Sequence, residues 1–188
     1  MVLMIDNYDS FTYNIIHYLR DLNIDVKVIK NDELSLSQID KLSFTHLIIS
    51  PGPGNPSNSG ISKDAVNKYH KQIPILGICL GHQIIAESNG AKVIKHSPMH
   101  GKTSILEILS HNAIFNSIPN SIKVARYHSL VIDPTTVPKN IEVTSISQDD
   151  NQIMSFKIKN SSTYGIQFHP ESFVSEYGHK ILKNFIDG

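Results

Sequence analysis

The residues Gly77-Ile78-Cys79-Leu80-Gly81 set the chain's single cysteine between two glycines. A buried-looking strand pattern, Pro74–Ile78, leads into this turn, and a helical pattern, Leu80–Ser88, leaves it. In its serine form, G-x-S-x-G, the arrangement is a nucleophile elbow, and its tight turn needs small residues on either side. Such a turn offers a side chain at the carboxyl end of a sheet, where open α/β folds bind ligands. A helix N-terminus stabilises negative charge, and the thiolate is the attacking form of cysteine. A lone cysteine is also a common inert core residue. The flanking glycines and the strand-to-helix position favour the nucleophile.

A thiol nucleophile needs a base. Ten histidines are available, so setting must choose among them. His169 closes a predicted strand in Gly165-Ile166-Gln167-Phe168-His169-Pro170-Glu171-Ser172. In extended backbone, residues i and i+2 point the same way. Glu171 can therefore orient the imidazole and stabilise its cation, which gives a Cys-His-Glu triad. The other reading of this segment is a surface histidine beside a solvated glutamate. Attack on an amide also creates an oxyanion that needs preorganised N–H donors. One can come from Leu80, directly after the nucleophile. A second can come from Ser50-Pro51-Gly52-Pro53-Gly54-Asn55-Pro56, through Gly52 or Gly54, because glycine lets backbone approach a ligand closely. A side chain at Gly52 would then intrude on the substrate. The same segment also fits an ordinary turn after a strand. It lacks the lysine and hydroxyl residue of a P-loop.

Composition removes several other classes. The 188 residues carry 17 basic and 17 acidic side chains, so net charge does not point to nucleic acid or a membrane surface. One cysteine excludes an internal disulfide framework and thiolate metal clusters. No His-Glu-x-x-His occurs, and His82 reads as helix packing or a cap. No apolar run approaches the ~18 residues of a membrane span, and Met-Val-Leu-Met-Ile-Asp lacks signal-peptide features. These signs imply a cytoplasmic protein.

Strands and helices must hold the chemical residues in place. Val2–Asp6, Asp25–Lys30, His46–Ser50 and Pro74–Ile78 read as strands. Helical patterns lie between them, one beginning behind Asp9 or Ser10 as N-cap, then Ser62–Gln72 and Leu80–Ser88. The second half is richer in strands: Lys92–Lys95, Thr103–Leu109, Ile122–Ala125, Ile141–Ser147, Ile153–Ile158 and Tyr164–Phe168. Glu176–Ile186 returns to helix. The pattern predicts one α/β domain over residues 1–188. Its sheet is open, mixed and mostly parallel, flanked by helices, with a small antiparallel extension.

Six stretches in this order resemble the class I (triad) glutamine amidotransferases: Ile5–Asn14, Ser50–Pro56, Pro74–Gln83, His100–Lys102, Arg126–Val131 and Gly165–Ser172. Within that family the resemblance is nearest to the small subunits of anthranilate synthase and aminodeoxychorismate synthase. It implies Cys79 as nucleophile, His169 as base and Glu171 as its orienting partner. It implies oxyanion N–H groups from Gly52 and Leu80. Glutamine would be held by Gly52, Pro53, Gly54, Gln83, Ser129 and Leu130. Ammonia would pass to a chorismate-using synthase subunit, with no nucleic acid or membrane involved. The chain would need no cofactor and no metal of its own, and any Mg2+ would belong to the partner. Phe156-Lys157-Ile158-Lys159 departs from the family's histidine-lysine pair, so Asn151–Ser162 is the weakest part of the match. Two further readings stand beside this one: a stand-alone γ-glutamyl hydrolase, and a subunit that keeps the fold without the reaction.

Overall fold

The computed structural model describes residues 1–188 and is built on one nine-stranded sheet, ordered β2-β1-β3-β4-β9-β8-β7-β5-β6. The first strands are β1 (Val2–Asp6), β2 (Val26–Lys30), β3 (His46–Ile49) and β4 (Ile75–Ile78). Then come β5 (Val93–Ile108), β6 (Ser121–Ile132), β7 (Ile141–Ser147), β8 (Ile153–Ile158) and β9 (Thr163–Ile166). The helices are α1 (Thr12–Asp21), α2 (Leu36–Ile39), α3 (Ser62–Tyr69), α4 (Leu80–Ser88) and α5 (Gly178–Asp187).

The expected mixed sheet flanked by helices is present, and its antiparallel part is larger than a small extension. Four pairings are parallel, linking β2, β1, β3, β4 and β9, and four are antiparallel. The two patches Lys92–Lys95 and Thr103–Leu109 belong to one strand, β5, which has register shifts at Lys95/Met99 and His100/Lys102. Such irregularities interrupt the alternation of apolar and polar residues and so hide a continuous strand. The β6 strand runs past Ala125 to Ile132 for the same reason, since buried Arg126 and His128 read as polar breaks.

Side chains alternate along each central strand, so the sheet has two cores. Val2, Met4, Ile48 and Leu76 face α1 and α5, meeting Ile15, Leu19, Ile181 and Phe185. Leu3, Ile5, Leu47 and Ile49 face the other way, against Val66 of α3 and Ile84 and Ile85 of α4. With both faces covered, the β1 and β4 strands are buried throughout, as parallel strands between helices must be. The α1 helix starts later than its sequence suggests. Its N-cap is Phe11, and Asp9 instead accepts a hydrogen bond from the Phe11 N–H at 2.6 Å, shaping the turn before the helix.

No helix is long and apolar enough to cross a membrane.

Candidate active site

The turn between β4 and α4 carries Cys79. Its backbone has φ 51° and ψ −99°, a conformation that side-chain-bearing residues rarely adopt and that costs roughly 1–3 kcal/mol. Surrounding structure holds it there. The Cys79 N–H donates to the Ile166 carbonyl at 2.8 Å, tying the turn to the end of β9. The flanking glycines let α4 lie directly on the sheet. A Cβ on Gly77 would come 2.4 Å from the Gly81 backbone, and one on Gly81 would come 2.3 Å from the Ile49 carbonyl oxygen. Cys79 is nearly buried, and the first N–H groups of α4, from Leu80 on, have no partner within the helix.

His169 lies three residues beyond β9. Its N–H donates to the Ala125 carbonyl of β6 at 3.1 Å, which draws the far edge of the antiparallel half back over the nucleophile. The Nδ1 atom lies 2.6 Å from Glu171 Oε1. A carboxylate only accepts, so Nδ1 carries the proton and Nε2 is turned away from Glu171. Both residues are buried. Burial opposes a charged imidazole. The Glu171 carboxylate and then the Cys79 sulfur outweigh it, raising the His169 pKa well above its ordinary 6.5. Phe11 and Tyr127 pack edge-on against the ring, with centroids 5.4 and 5.1 Å away, and keep water from it.

The loop after β3 is pinned from behind by Asn7. Asn7 donates through its N–H to Ser50 Oγ at 2.8 Å and through Nδ2 to the Ser50 carbonyl at 3.0 Å. Its Oδ1 accepts from Asn31 at 3.0 Å and from Ser62 at 2.8 Å. Gly52 packs against the same residue, and a Cβ there would sit 2.6 Å from the Asn7 Cβ and carbonyl oxygen. The sequence suggests that a side chain at Gly52 would intrude on the substrate. The clash is instead with Asn7, behind the loop.

A cavity of about 190 Å³ is bounded by Gly52, Pro53, Gly54, Cys79, Leu80, Gln83, Ser129 and Leu130, with His100, Tyr127 and His128. Every residue expected to hold glutamine therefore lies around one cavity, with Cys79 in its wall and His169 and Glu171 buried behind it. A larger cleft of about 410 Å³ lies at the opposite ends of the strands, near His70, Pro74 and Ser161, away from Cys79.

Several neighbours carried no assigned role in the sequence. Arg126 is fully buried. It donates to Asp150 through Nη1 at 3.0 Å and Nη2 at 2.9 Å, to Ser104 Oγ at 2.9 Å, and through Nε to His128 Nε2 at 3.0 Å. A guanidinium has no acceptor, so His128 Nε2 must accept and Nδ1 must donate to the Leu130 carbonyl, 3.0 Å away. Burial, followed by the Arg126 charge, lowers the His128 pKa to about 3. With both nitrogens engaged, this neutral ring positions Leu130 and cannot serve as the base. His82 is buried against Phe156, with ring centroids 4.8 Å apart, and burial lowers its pKa to about 3. The divergent stretch thus supplies β8 and a wall for His82, and Phe156 also leaves no room for a side chain at Gly165. The alternation that pairs His169 with Glu171 also reaches back to Gln167, and it could have drawn attention to that residue.

A family model for glutamine amidotransferase class-I matches residues 3–188. The chain is 45% identical to aminodeoxychorismate synthase component 2 of Escherichia coli, covering 99% of both. It is 47% identical to anthranilate synthase component 2 of Pyropia yezoensis, covering 100% of this chain and 99% of the relative. It is also 42% identical to the bifunctional protein TrpGD of Thermotoga maritima, where the match takes in 99% of this chain but only 32% of the longer protein. Among solved structures, a putative GMP synthase subunit from Thermoplasma acidophilum superposes with a TM-score of 0.86 at 32% identity, covering 99% of this chain and 92% of that one.

Proposed function

This chain belongs to the glutamine amidotransferase class-I family, and we propose that it is the glutamine-hydrolysing subunit of a chorismate-using synthase. The observation that carries the proposal is the strained Cys79 turn opening on a small cavity, with the buried His169–Glu171 pair behind it. Clefts for drug-sized ligands run to roughly 300–1,000 Å³, so a cavity of about 190 Å³ suits a free amino acid better than a γ-glutamyl peptide.

In this reading the Cys79 thiolate attacks the side-chain carboxamide carbon of glutamine. The N–H groups of Leu80 and Gly52 stabilise the resulting oxyanion. His169 protonates the departing nitrogen, the C–N bond breaks, ammonia leaves and a γ-glutamyl thioester remains. His169 then takes a proton from water as its oxygen attacks the thioester. Glutamate is released and the thiolate re-forms, with Glu171 holding Nδ1 throughout. Gln83, Ser129 and Leu130 hold the amino-acid end of the substrate. The component 2 names of the two full-length relatives support a separate partner that receives the ammonia. The match covers only 32% of the bifunctional relative, and the rest of that protein forms no part of the proposal.

Two measurements test this. A glutamine-like electrophile should label Cys79, as read by peptide mass. Glutamine turnover should also be low for the chain alone and rise when chorismate and a chorismate-using synthase partner are added. Full turnover by the lone chain, unchanged by any partner, would overturn the subunit reading. An unlabelled Cys79 would overturn the nucleophile.

A further inference from the structure

Cys79 Sγ has a second polar neighbour besides the triad histidine. The Nε2 atom of Gln167 lies 3.6 Å from it, within hydrogen-bonding range for sulfur. Gln167 is fully buried and sits just beyond β9, and its own N–H donates to the Met154 carbonyl of β8 at 2.8 Å. Which end of its side chain faces the sulfur is set by its neighbours. The Leu130 carbonyl can only accept, so the Gln83 atom 3.2 Å from it must be Nε2. That same Nε2 lies 3.1 Å from Gln167, which must therefore present Oε1 to it. The N–H end of Gln167 is left directed at Cys79.

We propose that Gln167 is a further catalytic residue, an N–H donor to the Cys79 sulfur whose orientation is enforced by Gln83 and the Leu130 carbonyl. The inference deepens the proposed function and rests on Cys79 being the nucleophile. A buried thiolate needs donors to replace water, and hydrogen bonds to charged groups are stronger than those between neutral ones. Imidazolium supplies one donor but gives up its proton as ammonia leaves. Gln167 does not titrate, so its donor persists through the thioester. It is then in place when the C–S bond breaks and the electron pair returns to sulfur. It thus favours thiolate both before attack and as leaving group. The same relay couples substrate binding to the nucleophile, since Gln83 lines the cavity and holds Gln167.

The test is the pH dependence of Cys79 alkylation by iodoacetamide, followed by mass spectrometry on the full chain. Gln167→Met keeps the length and apolar stem of the side chain without the donor. Its alkylation midpoint should move up by about one pH unit, equivalent to tenfold less thiolate at a fixed pH on the acid side. Gln167→Glu places a carboxylate there and should move it further. The acid limb of kcat/KM for glutamine should shift in step, which loss of packing alone would not produce. The unsubstituted protein gives a readout that does not depend on any variant folding. The side-chain amide protons of Gln167, followed by nitrogen-15 NMR, should titrate with the alkylation midpoint and lose that dependence after Cys79 is alkylated. A Gln167→Met profile superimposable on the parent, or Gln167 signals that ignore Cys79, would overturn the proposal. Electrophile labelling of Cys79 in the parent separates this failure from that of the nucleophile itself.

Discussion

The two halves of the sheet are held together by different means. In the parallel half, β1 and β4 are buried throughout and apolar but for Asp6, and α4 lies on β3 and β4 through glycine-to-backbone contacts. In the antiparallel half, β5 is largely exposed, and its order depends on buried polar groups. Arg126 gathers Ser104, His128 and Asp150, and hydroxyls of Thr144, Ser145 and Ser155 bond to one another between β7 and β8. The parallel half carries the nucleophile, while the antiparallel half supplies the facing wall through Ser129 and Leu130. The strained turn is therefore set by steric contact, which has little give. The substrate wall is set by charge and hydrogen bonds, whose loss should leave the chain folded.

The steric side breaks most abruptly. Gly81→Ala puts a Cβ 2.3 Å from the Ile49 carbonyl oxygen, and that obstacle is backbone, so no flexible side chain can swing away. The expected loss is about 4 kcal/mol of stability or more, at the upper end for single substitutions. Urea unfolding measures it, and a variant with parental stability would show that α4 can lift from β3 at little cost.

Gly52→Ala should separate folding from turnover. The new Cβ meets the Asn7 Cβ and carbonyl oxygen at 2.6 Å, so the loop must move off Asn7 toward the cavity, at some cost in stability. An oxyanion donor moved out of place costs roughly 10²–10³ in rate. A kcat reduced by that factor, with a smaller drop in melting temperature than Gly81→Ala shows, is expected. Unchanged kinetics would mean that the second donor lies elsewhere.

The charged side gives smaller losses of a different kind. Arg126→Met leaves His128 Nε2 without its donor and Asp150 without its paired cation. Because Asp150 is partly solvated, the cost should be about 2–3 kcal/mol, below the full value for a broken buried pair. The Leu130 carbonyl then loses its positioned neighbour, so KM for glutamine should rise more than kcat falls. Combining Arg126→Met with Asp150→Asn should cost less than the sum of the two. Strict additivity would sever the proposed link between these residues.

The legibility of the sequence follows the same division. Apolar runs and glycine spacing announced β1, β3, β4 and α4 because burial on both faces leaves an unbroken signal. Cys79, His169 and Glu171 were readable because their roles demand fixed local spacings. Arg126 and Gln167 were not assigned roles, although both lie in the quoted motifs. Their partners, Asp150 and Cys79, are distant in sequence, and a buried charge resembles a surface one until the fold closes over it. The continuous β5 was hidden by its own register shifts.

The smallest expected effect concerns acid. His82 is buried among Phe156, Gly165 and α4, and its pKa of about 3 compares with an ordinary 6.5. Between these values the unfolded chain binds a proton that the folded chain refuses. Stability should therefore fall as pH drops through 6.5 and level off below about 3. His128 has the same sign. His169 has the opposite one. Its raised folded pKa contributes stability that is full below 6.5 and lost as pH rises through the folded value. Acid sensitivity from histidines between pH 7 and 5 thus comes chiefly from His82 and His128, one on α4 and one on β6, with smaller parts from His46 and His70, whose pKa values burial also lowers. His82→Leu removes one of the two chief titrations and also removes ring nitrogens that have no hydrogen-bond partner. The parent should lose on the order of 1–2 kcal/mol for each of these two histidines at pH 5, and His82→Leu should lose less than the parent by about one such share. The measurement is the difference in urea midpoint between pH 7 and pH 5 for the two proteins. An equal difference would mean that His82 reaches water and gains its proton without unfolding, which the packing of α4 on the sheet does not permit.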